Sequence, residues 1–206
     1  MTTGSPSITA IAFDLGNVLV KVDHMRFCRN LAPLAGLSPH EVYAQVFETD
    51  LEPRFDTGRI SPEEFFRRIK AKLQVSLPYP QFCALWNEIF DPMDTIEEIL
   101  NHLHPRYPLF LLSNTNTLHF QYIQKRFPNI LQYFHAFILS FIVGGRKPEA
   151  AIFQALIRQA GVPPAQILYT DDKEDFVAAA RTHGLTAWHF VSPRDFQEQL
   201  SRSGLW

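Results

Sequence analysis

Four short segments carry residues whose types suit one kind of chemistry. Ile8-Thr9-Ala10-Ile11-Ala12-Phe13 is a β-prone run that stops at Asp14, with Gly16 and Asn17 where a sharp turn falls. Leu109-Phe110-Leu111-Leu112 is a continuous apolar run ending in Ser113 and Asn114, and Ile167-Leu168-Tyr169-Thr170 is another, ending in Asp171 and Asp172. Lys147 lies in the loop Gly144-Gly145-Arg146-Lys147-Pro148, just ahead of a helix start. Open α/β sheets bind ligands beyond the carboxyl ends of their strands, so a carboxylate, a hydroxyl, a lysine and an acidic pair converge on one rim. Such a set suits a phosphoryl group and Mg²⁺: carboxylate oxygens bind the hard cation, while lysine and hydroxyl bind phosphate oxygens. Taken singly, each has a plainer reading. Asp14, Ser113 and Asp171-Asp172 could serve as turn or capping residues, and Lys147 as a surface lysine.

The elements that must position these residues are readable from hydrophobic period. Ala136-Phe137-Ile138-Leu139 and Thr186–Val191 add two further strands. Pro148 to Ala160, stopped by Gly161, and Asp175 to His183, stopped by Gly184, read as helices. Short buried strands alternating with helices predict an α/β fold with a parallel sheet. From His24 to about His104 the pattern is helical instead. Ser38-Pro39-His40-Glu41 and Ser61-Pro62-Glu63-Glu64 are helix starts, with Ser as cap, Pro in the first turn and a nearby Glu.

The 206 residues are 46% hydrophobic and 19% charged, with a formal net charge of −2. That balance excludes a strongly basic nucleic-acid binder and an acidic disordered tail. Two cysteines, Cys28 and Cys83, exclude a disulfide scaffold or a four-thiolate zinc site, and both read as packing residues. No apolar run approaches the roughly 20 residues of a membrane span. Met1 to Ser7 lacks the basic and apolar regions of a signal peptide, so a reduced, cytoplasmic protein is expected.

In chain order, Phe13-Asp14-Leu15-Gly16-Asn17-Val18, Leu112-Ser113-Asn114-Thr115-Asn116, Gly145-Arg146-Lys147-Pro148-Glu149 and Tyr169-Thr170-Asp171-Asp172 resemble the four motifs of the haloacid dehalogenase (HAD) superfamily. The resemblance spans Ile8 to Val191. It is greatest to the D-L-G-N-V branch of small phosphatases, bacterial α-glucose-1-phosphatases among them. It implies a Rossmannoid parallel sheet formed by residues 1–22 and 106–206, with residues 23–105 inserted as a helical C1 cap. It further implies that Asp14 is a nucleophile forming an aspartyl-phosphate, and that Ser113, Asn114 and Lys147 bind phosphate. Lys147 would also keep Asp14 ionised, and Mg²⁺ would be held by Asp14, Asp171, Asp172 and the Gly16 carbonyl. The implied activity is that of a phosphomonoesterase on a small phosphorylated metabolite such as a sugar phosphate. Asp171-Asp172 argue against a 2-haloacid dehalogenase, which has no need of an acidic metal pair.

Three departures from the family pattern carry weight. Gly16 stands where many HAD phosphatases place a second Asp as general acid and base, a role typically worth about 10²–10⁴-fold. Its absence implies weak phosphatase activity or a preference for good leaving groups such as anomeric sugar phosphates, although a cap residue such as Asp23 or Asp56 could supply that proton. Alternatively, the chain is a catalytically weak HAD-like protein that binds a phosphorylated ligand or a protein partner. Phe176 stands where relatives often have Asn or Asp, with Asp175 beside it, and Phe141-Ile142 replace polar residues. Other suggestive residues read as structural: His102 and His104 as a solvated helix end, Arg67, Arg68, Lys70 and Lys72 as a solvated face, and Phe65, Phe66 and Ile69 as cap core. His119 is close enough in sequence to the second motif to reach a substrate, but packing serves it equally well.

Overall fold

The computed structural model describes residues 7–206; residues 1–6, which carry most of the leaderless N-terminus reading, lie outside them. The chain opens with β1 (Ala10–Phe13) and β2 (Val20–Val22), then five helices: α1 (His24–Ala35), α2 (Pro39–Val46), α3 (Leu51–Asp56), α4 (Pro62–Leu73) and α5 (Tyr79–Asn87). Next come β3 (Phe90–Pro92), α6 (Ile96–Leu103), β4 (Leu109–Ser113), α7 (Thr117–Arg126), α8 (Pro128–Leu131) and β5 (Phe134–Leu139). The remainder is α9 (Ser140–Val143), α10 (Ala150–Ala160), β6 (Ile167–Asp171), α11 (Glu174–Thr182), β7 (Thr186–His189) and α12 (Pro193–Arg202).

Five strands form a parallel sheet in the order β5-β4-β1-β6-β7. Both faces are covered, which is why its inner strands read as unbroken apolar runs. Along β1, Ile11 and Phe13 face one layer with α6, α7 and α12, whereas Ala10 and Ala12 face the other with α10 and α11. The chain winds outward from β1 to β4 and β5, then returns to β6 on the other side of β1. The reversal of strand order therefore falls at β1, and the carboxyl ends of β1, β4 and β6 share one rim.

The helical segment enters through β2 and leaves through β3, which pair antiparallel with Val20 opposite Pro92 and Val22 opposite Phe90. Three-residue strands carry too little periodicity to stand out within a helical stretch. Both Ser-Pro starts are as expected: Ser38 and Glu41 form a capping box, and the Ser61 hydroxyl accepts from the Glu64 N–H at 3.2 Å. Phe27, Phe55, Phe65, Phe82 and Trp86 are buried together, with Phe55 and Phe65 stacked at 4.4 Å. This aromatic cluster is continuous with the core on one sheet face. Within residues 23–105, α6 packs against α8 and α12 beside the sheet, so the helices over the rim are α1 to α5. His102 stacks on Trp206 at 4.1 Å rather than standing free in solvent, while His104 is exposed. Among the described residues no helix is long and apolar enough to cross a membrane.

The cap meets the sheet layer closely at Gly58. Its φ is +69°, and a Cβ there would lie 2.7 Å from the backbone oxygen of Phe141 on α9. Phe141 itself is half-buried, packed near Phe120, and Ile142 is the exposed member of the pair at 69%. Gly36 has a similar φ of +65° but open space around it. Gly58→Ala is therefore expected to cost about 3 kcal/mol, strain and collision together, and Gly36→Ala only about 1–2 kcal/mol. Urea denaturation of the two variants measures the difference.

Candidate active site

Lys147 is the centre of the rim. Its side chain is 1% exposed, and its ammonium lies 2.6 Å from Asp14 Oδ1 and 2.6 Å from Asp171 Oδ2. It also donates to the Tyr169 hydroxyl at 3.0 Å and the Leu112 carbonyl at 3.3 Å. Burial alone would lower its pKa, but the charges of Asp14 and Asp171 overcome this and hold it above the usual lysine value. The Tyr169 hydroxyl in turn donates to Asp171 Oδ2, and Asp171 Oδ1 accepts from the Lys173 N–H at 2.9 Å. Although burial opposes it, Lys147 and these donors keep the Asp171 carboxyl below its ordinary value.

Asp14 differs. Burial pushes its carboxyl up to about 7, with Lys147 opposing and Asp171 and Asp172 adding to the rise. Asp172 is held by Asn17, whose Nδ2 donates to Oδ2 at 3.1 Å from a left-handed backbone (φ 56°). That turn is closed by Asn17 N–H to Val20 O at 2.7 Å. One carboxylate oxygen each from Asp14, Asp171 and Asp172 lies within 4.8 Å of the others. When all three carboxyls are ionised, the cluster with Lys147 carries two more negative charges than positive. Hard oxygen donors with that excess fit a divalent cation such as Mg²⁺.

Ser113 ends β4 and is 2% exposed beside the cleft. Asn114 also lines the cleft, but both polar atoms of its side chain are engaged. Nδ2 donates to the Lys147 carbonyl at 3.0 Å and Oδ1 accepts from the Lys147 N–H at 2.7 Å. Its amide therefore holds the lysine loop against the end of β4. Gly16 lines the same cleft. Phe176 packs over the cations, its ring centre 5.2 Å from Lys147 Nζ and 5.3 Å from Lys173 Nζ. An aromatic face in this position supports the lysines through cation–π attraction.

The cleft holds about 220 Å³ and is roofed by His24, Tyr43, Phe47, Glu52 and Asp56 from the cap. Asp56 Oδ1 accepts from Asn116 Nδ2 at 3.1 Å, and Arg146 approaches Oδ2 at 3.8 Å. Burial pushes the Asp56 carboxyl up to about 6, with Arg146 opposing. Asp23 is placed otherwise: it caps α1 by accepting from the Arg26 N–H and pairs with Arg29 at 2.6 Å. Those contacts lower its pKa, so it holds no proton to give at neutral pH. His119 is buried, stacked on Trp86 at 4.7 Å, with Nε2 3.0 Å from the Trp86 carbonyl and Nδ1 3.2 Å from Asn116 Nδ2. Burial pushes it down to about 3, which makes it a neutral packing residue in the cleft wall. Cys28 is buried in the cap, and burial pushes its thiol up to about 11.

Tyr169, Asn17 and Glu52 were not singled out from sequence. Tyr169 had a signal: a hydroxyl two residues before Asp171 on a strand shares its face. Glu52 had none, because the direction of a six-residue helix is set by packing.

A parallel sheet whose central strand presents a carboxylate to a buried lysine and an acidic pair, under a helical insertion, defines the HAD-like class of α/β hydrolases. The chain belongs to the haloacid dehalogenase-like hydrolases, whose family model matches residues 8–184. It is 22% identical over 201 residues to the D-ribitol-5-phosphate phosphatase of Bacteroides thetaiotaomicron, covering 94% of this chain and 97% of that protein. A crystal structure of a HAD family enzyme from the same organism superposes with a TM-score of 0.86 at 25% identity, covering 95% of this chain and 99% of that one. A complex of that enzyme with magnesium and inorganic phosphate superposes at 0.82 with 26% identity, covering 91% and 96%.

Removing the ammonium leaves Asp14 and Asp171 buried against one another. Lys147→Met is expected to cost roughly 3–5 kcal/mol in urea denaturation, and a loss under about 1 kcal/mol would refute the structural weight given to this lysine. The Asp14 carboxyl, at about 7 in the folded chain against 3.8 ordinarily, ionises more readily when unfolded. With chelator present, its contribution to stability is thus lost as pH rises from about 4 towards 7. Asp14→Asn should flatten that part of the stability–pH curve.

Proposed function

We propose that this hydrolase is a Mg²⁺-dependent phosphomonoesterase that works through a covalent phosphate on Asp14. The observation that carries the reading is the Asp14–Lys147–Asp171 arrangement, with both contacts at 2.6 Å and Asp172 beside it. A bound divalent cation would neutralise the acidic cluster and the phosphate together, held by Asp14, Asp171, Asp172 and the Gly16 carbonyl. Lys147 opposes the upward push of burial on the Asp14 carboxyl, favouring its ionised form, and offsets charge on the phosphoryl group as Asp14 attacks phosphorus in line with the leaving oxygen. Ser113 and the Asn114 main chain take phosphate oxygens, with the Asn114 amide keeping Lys147 in place. The phosphoenzyme is then opened by water, which regenerates the Asp14 carboxylate and frees inorganic phosphate.

A cleft of about 220 Å³ lies below the common range for drug-sized ligands, about 300–1,000 Å³. That supports a small metabolite, and the full-length similarity to a D-ribitol-5-phosphate phosphatase supports a polyol or sugar phosphate. The competing reading, a binder without turnover, rests on Gly16 and on the apolar Phe141-Ile142 stretch, of which Ile142 is exposed. Phe176, a departure that also fits a binder, is accounted for by its place over the lysines.

Phosphate release from a panel of polyol and sugar phosphates tests the assignment. Turnover should require Mg²⁺, vanish in EDTA and return on adding the ion. Asp14→Asn should lower it at least about 10³-fold. Binding of phosphorylated ligands without release from any of them would favour the binder.

A further inference from the structure

The phosphatase reading leaves one group unassigned: the proton donor for the leaving oxygen, since Gly16 brings no side chain to the β1 turn. Departure of an alcohol from phosphate as a bare alkoxide is slow, so an alkyl phosphatase needs such a donor. It must face the cleft, carry a proton at neutral pH and have that proton uncommitted to the protein.

We infer that Glu52 of the cap donates this proton, with Asp56 one helical turn further along α3 as its ionised companion. The two residues are four apart on one helix, which sets them on one face, and both line the cleft that holds Asp14, Ser113 and Lys147. Their situations differ. Asp56 is 4% exposed and fixed, with Asn116 on one oxygen and Arg146 near the other. Glu52 is half-buried and makes no side-chain hydrogen bond among the described residues, so its carboxyl is available to a ligand. Burial, with Asp56 adding to it and Arg146 and Lys173 opposing, pushes the Glu52 carboxyl up to about 8, whereas Asp56 stands at about 6. Two nearby carboxyls whose values are driven apart in this way divide into an acid and an anion at neutral pH. Tyr43 and His24 are the further titratable groups on this wall: the Tyr43 phenol is pushed up by burial and by the charge of Glu52, and burial pushes the His24 imidazole down to about 4.

The step balances. Asp14 attacks phosphorus, the bond to the leaving oxygen breaks, and that oxygen takes both the electron pair and the Glu52 proton to depart as an alcohol. In the second half, the Glu52 carboxylate accepts a proton from water as the water oxygen attacks phosphorus. The Asp14–phosphorus bond breaks, and Glu52 is again protonated. The assignment rests on the phosphatase reading and adds the residue that completes it.

Leaving-group dependence tests it on the intact protein with Mg²⁺. Acetyl phosphate releases acetate, which departs without a proton; an alkyl phosphate, the best substrate of the polyol panel, does not. Glu52→Gln, isosteric but unable to donate, is expected to lose about 10²–10⁴-fold in kcat/KM on the alkyl phosphate and only a few-fold on acetyl phosphate. Retained kcat/KM on acetyl phosphate, which reports the steps up to phosphoenzyme formation and not the Glu52-assisted attack of water, also shows that the variant is folded and its nucleophile intact. Equal losses of kcat/KM on both substrates, or no loss of kcat/KM on either, would overturn the assignment. A wild type inert towards both substrates refutes the phosphatase reading itself, and this assignment with it.

Discussion

A lysine ammonium buried between two carboxylates is the constraint around which this molecule is arranged. An ammonium that is nearly inaccessible to water is tolerable only with charged and polar partners on every side. Lys147 has Asp14, Asp171, Tyr169 and the Leu112 carbonyl, which come from β1, β6 and β4. Those three strands must therefore be neighbours, with β1 in the middle. The sheet order β5-β4-β1-β6-β7 satisfies this condition, and the Asn114 amide locks the lysine loop to the end of β4. The same contacts set the chemistry. They leave Asp14 beside a cation, and an excess of negative charge that a divalent ion balances.

A second polar chain ties the roof to this floor. Asp56 in the cap accepts from Asn116, which caps α7 just beyond β4. Asn116 in turn meets His119, and His119 meets the Trp86 carbonyl at the end of α5. These groups lie in the aromatic cluster of Trp86, Phe90 and their neighbours, where an unpaired polar atom would be costly. Their hydrogen bonds are thus directional fasteners inside an otherwise non-directional core. Gly58 allows the backbones of cap and α9 to touch on the same side of the cleft. Cap and sheet layer share one continuous apolar core, so the roof is seated by both kinds of contact.

How much of this was readable in advance depended on the range of the interaction concerned. Asp14, Ser113 and Asp171 stand at the carboxyl ends of buried strands, and in a parallel sheet those ends share one edge, so local pattern was enough. The two Ser-Pro helix starts are also local and are found as expected. By contrast, β2 and β3 are three residues each and owe their pairing to the insertion closing on itself, which leaves no periodic trace. The side of the molecule on which α6 packs depends on α8 and α12, distant in sequence. Phe176 looked anomalous because its partners, Lys147 and Lys173, converge on it only in the folded chain. Asp23 and Asp56 were indistinguishable as proton donors from sequence. Burial and partners separate them, one lowered by Arg29 and the other raised by enclosure.

Moving the proton donor from the turn after β1 to α3 changes what the cap does. In a site with a second Asp beside the nucleophile, attack and protonation are both performed by one rigid turn, and a cap adds only selection and shelter. Here the turn carries Gly16, and the polar carboxyl facing the cleft without a protein partner belongs to the cap. On that assignment, chemistry on an alkyl phosphate requires the roof in place, because Asp14 and Glu52 stand on different layers. On the Glu52 assignment, substrate selection and catalysis share one element, since the helix that roofs the cleft also carries the proton. The fasteners between Asp56, Asn116 and Arg146 acquire a mechanistic meaning in this light. They fasten Asp56, one helical turn from Glu52, to Asn116 beyond β4 and to Arg146 beside Lys147, and so hold α3 to the floor of the cleft.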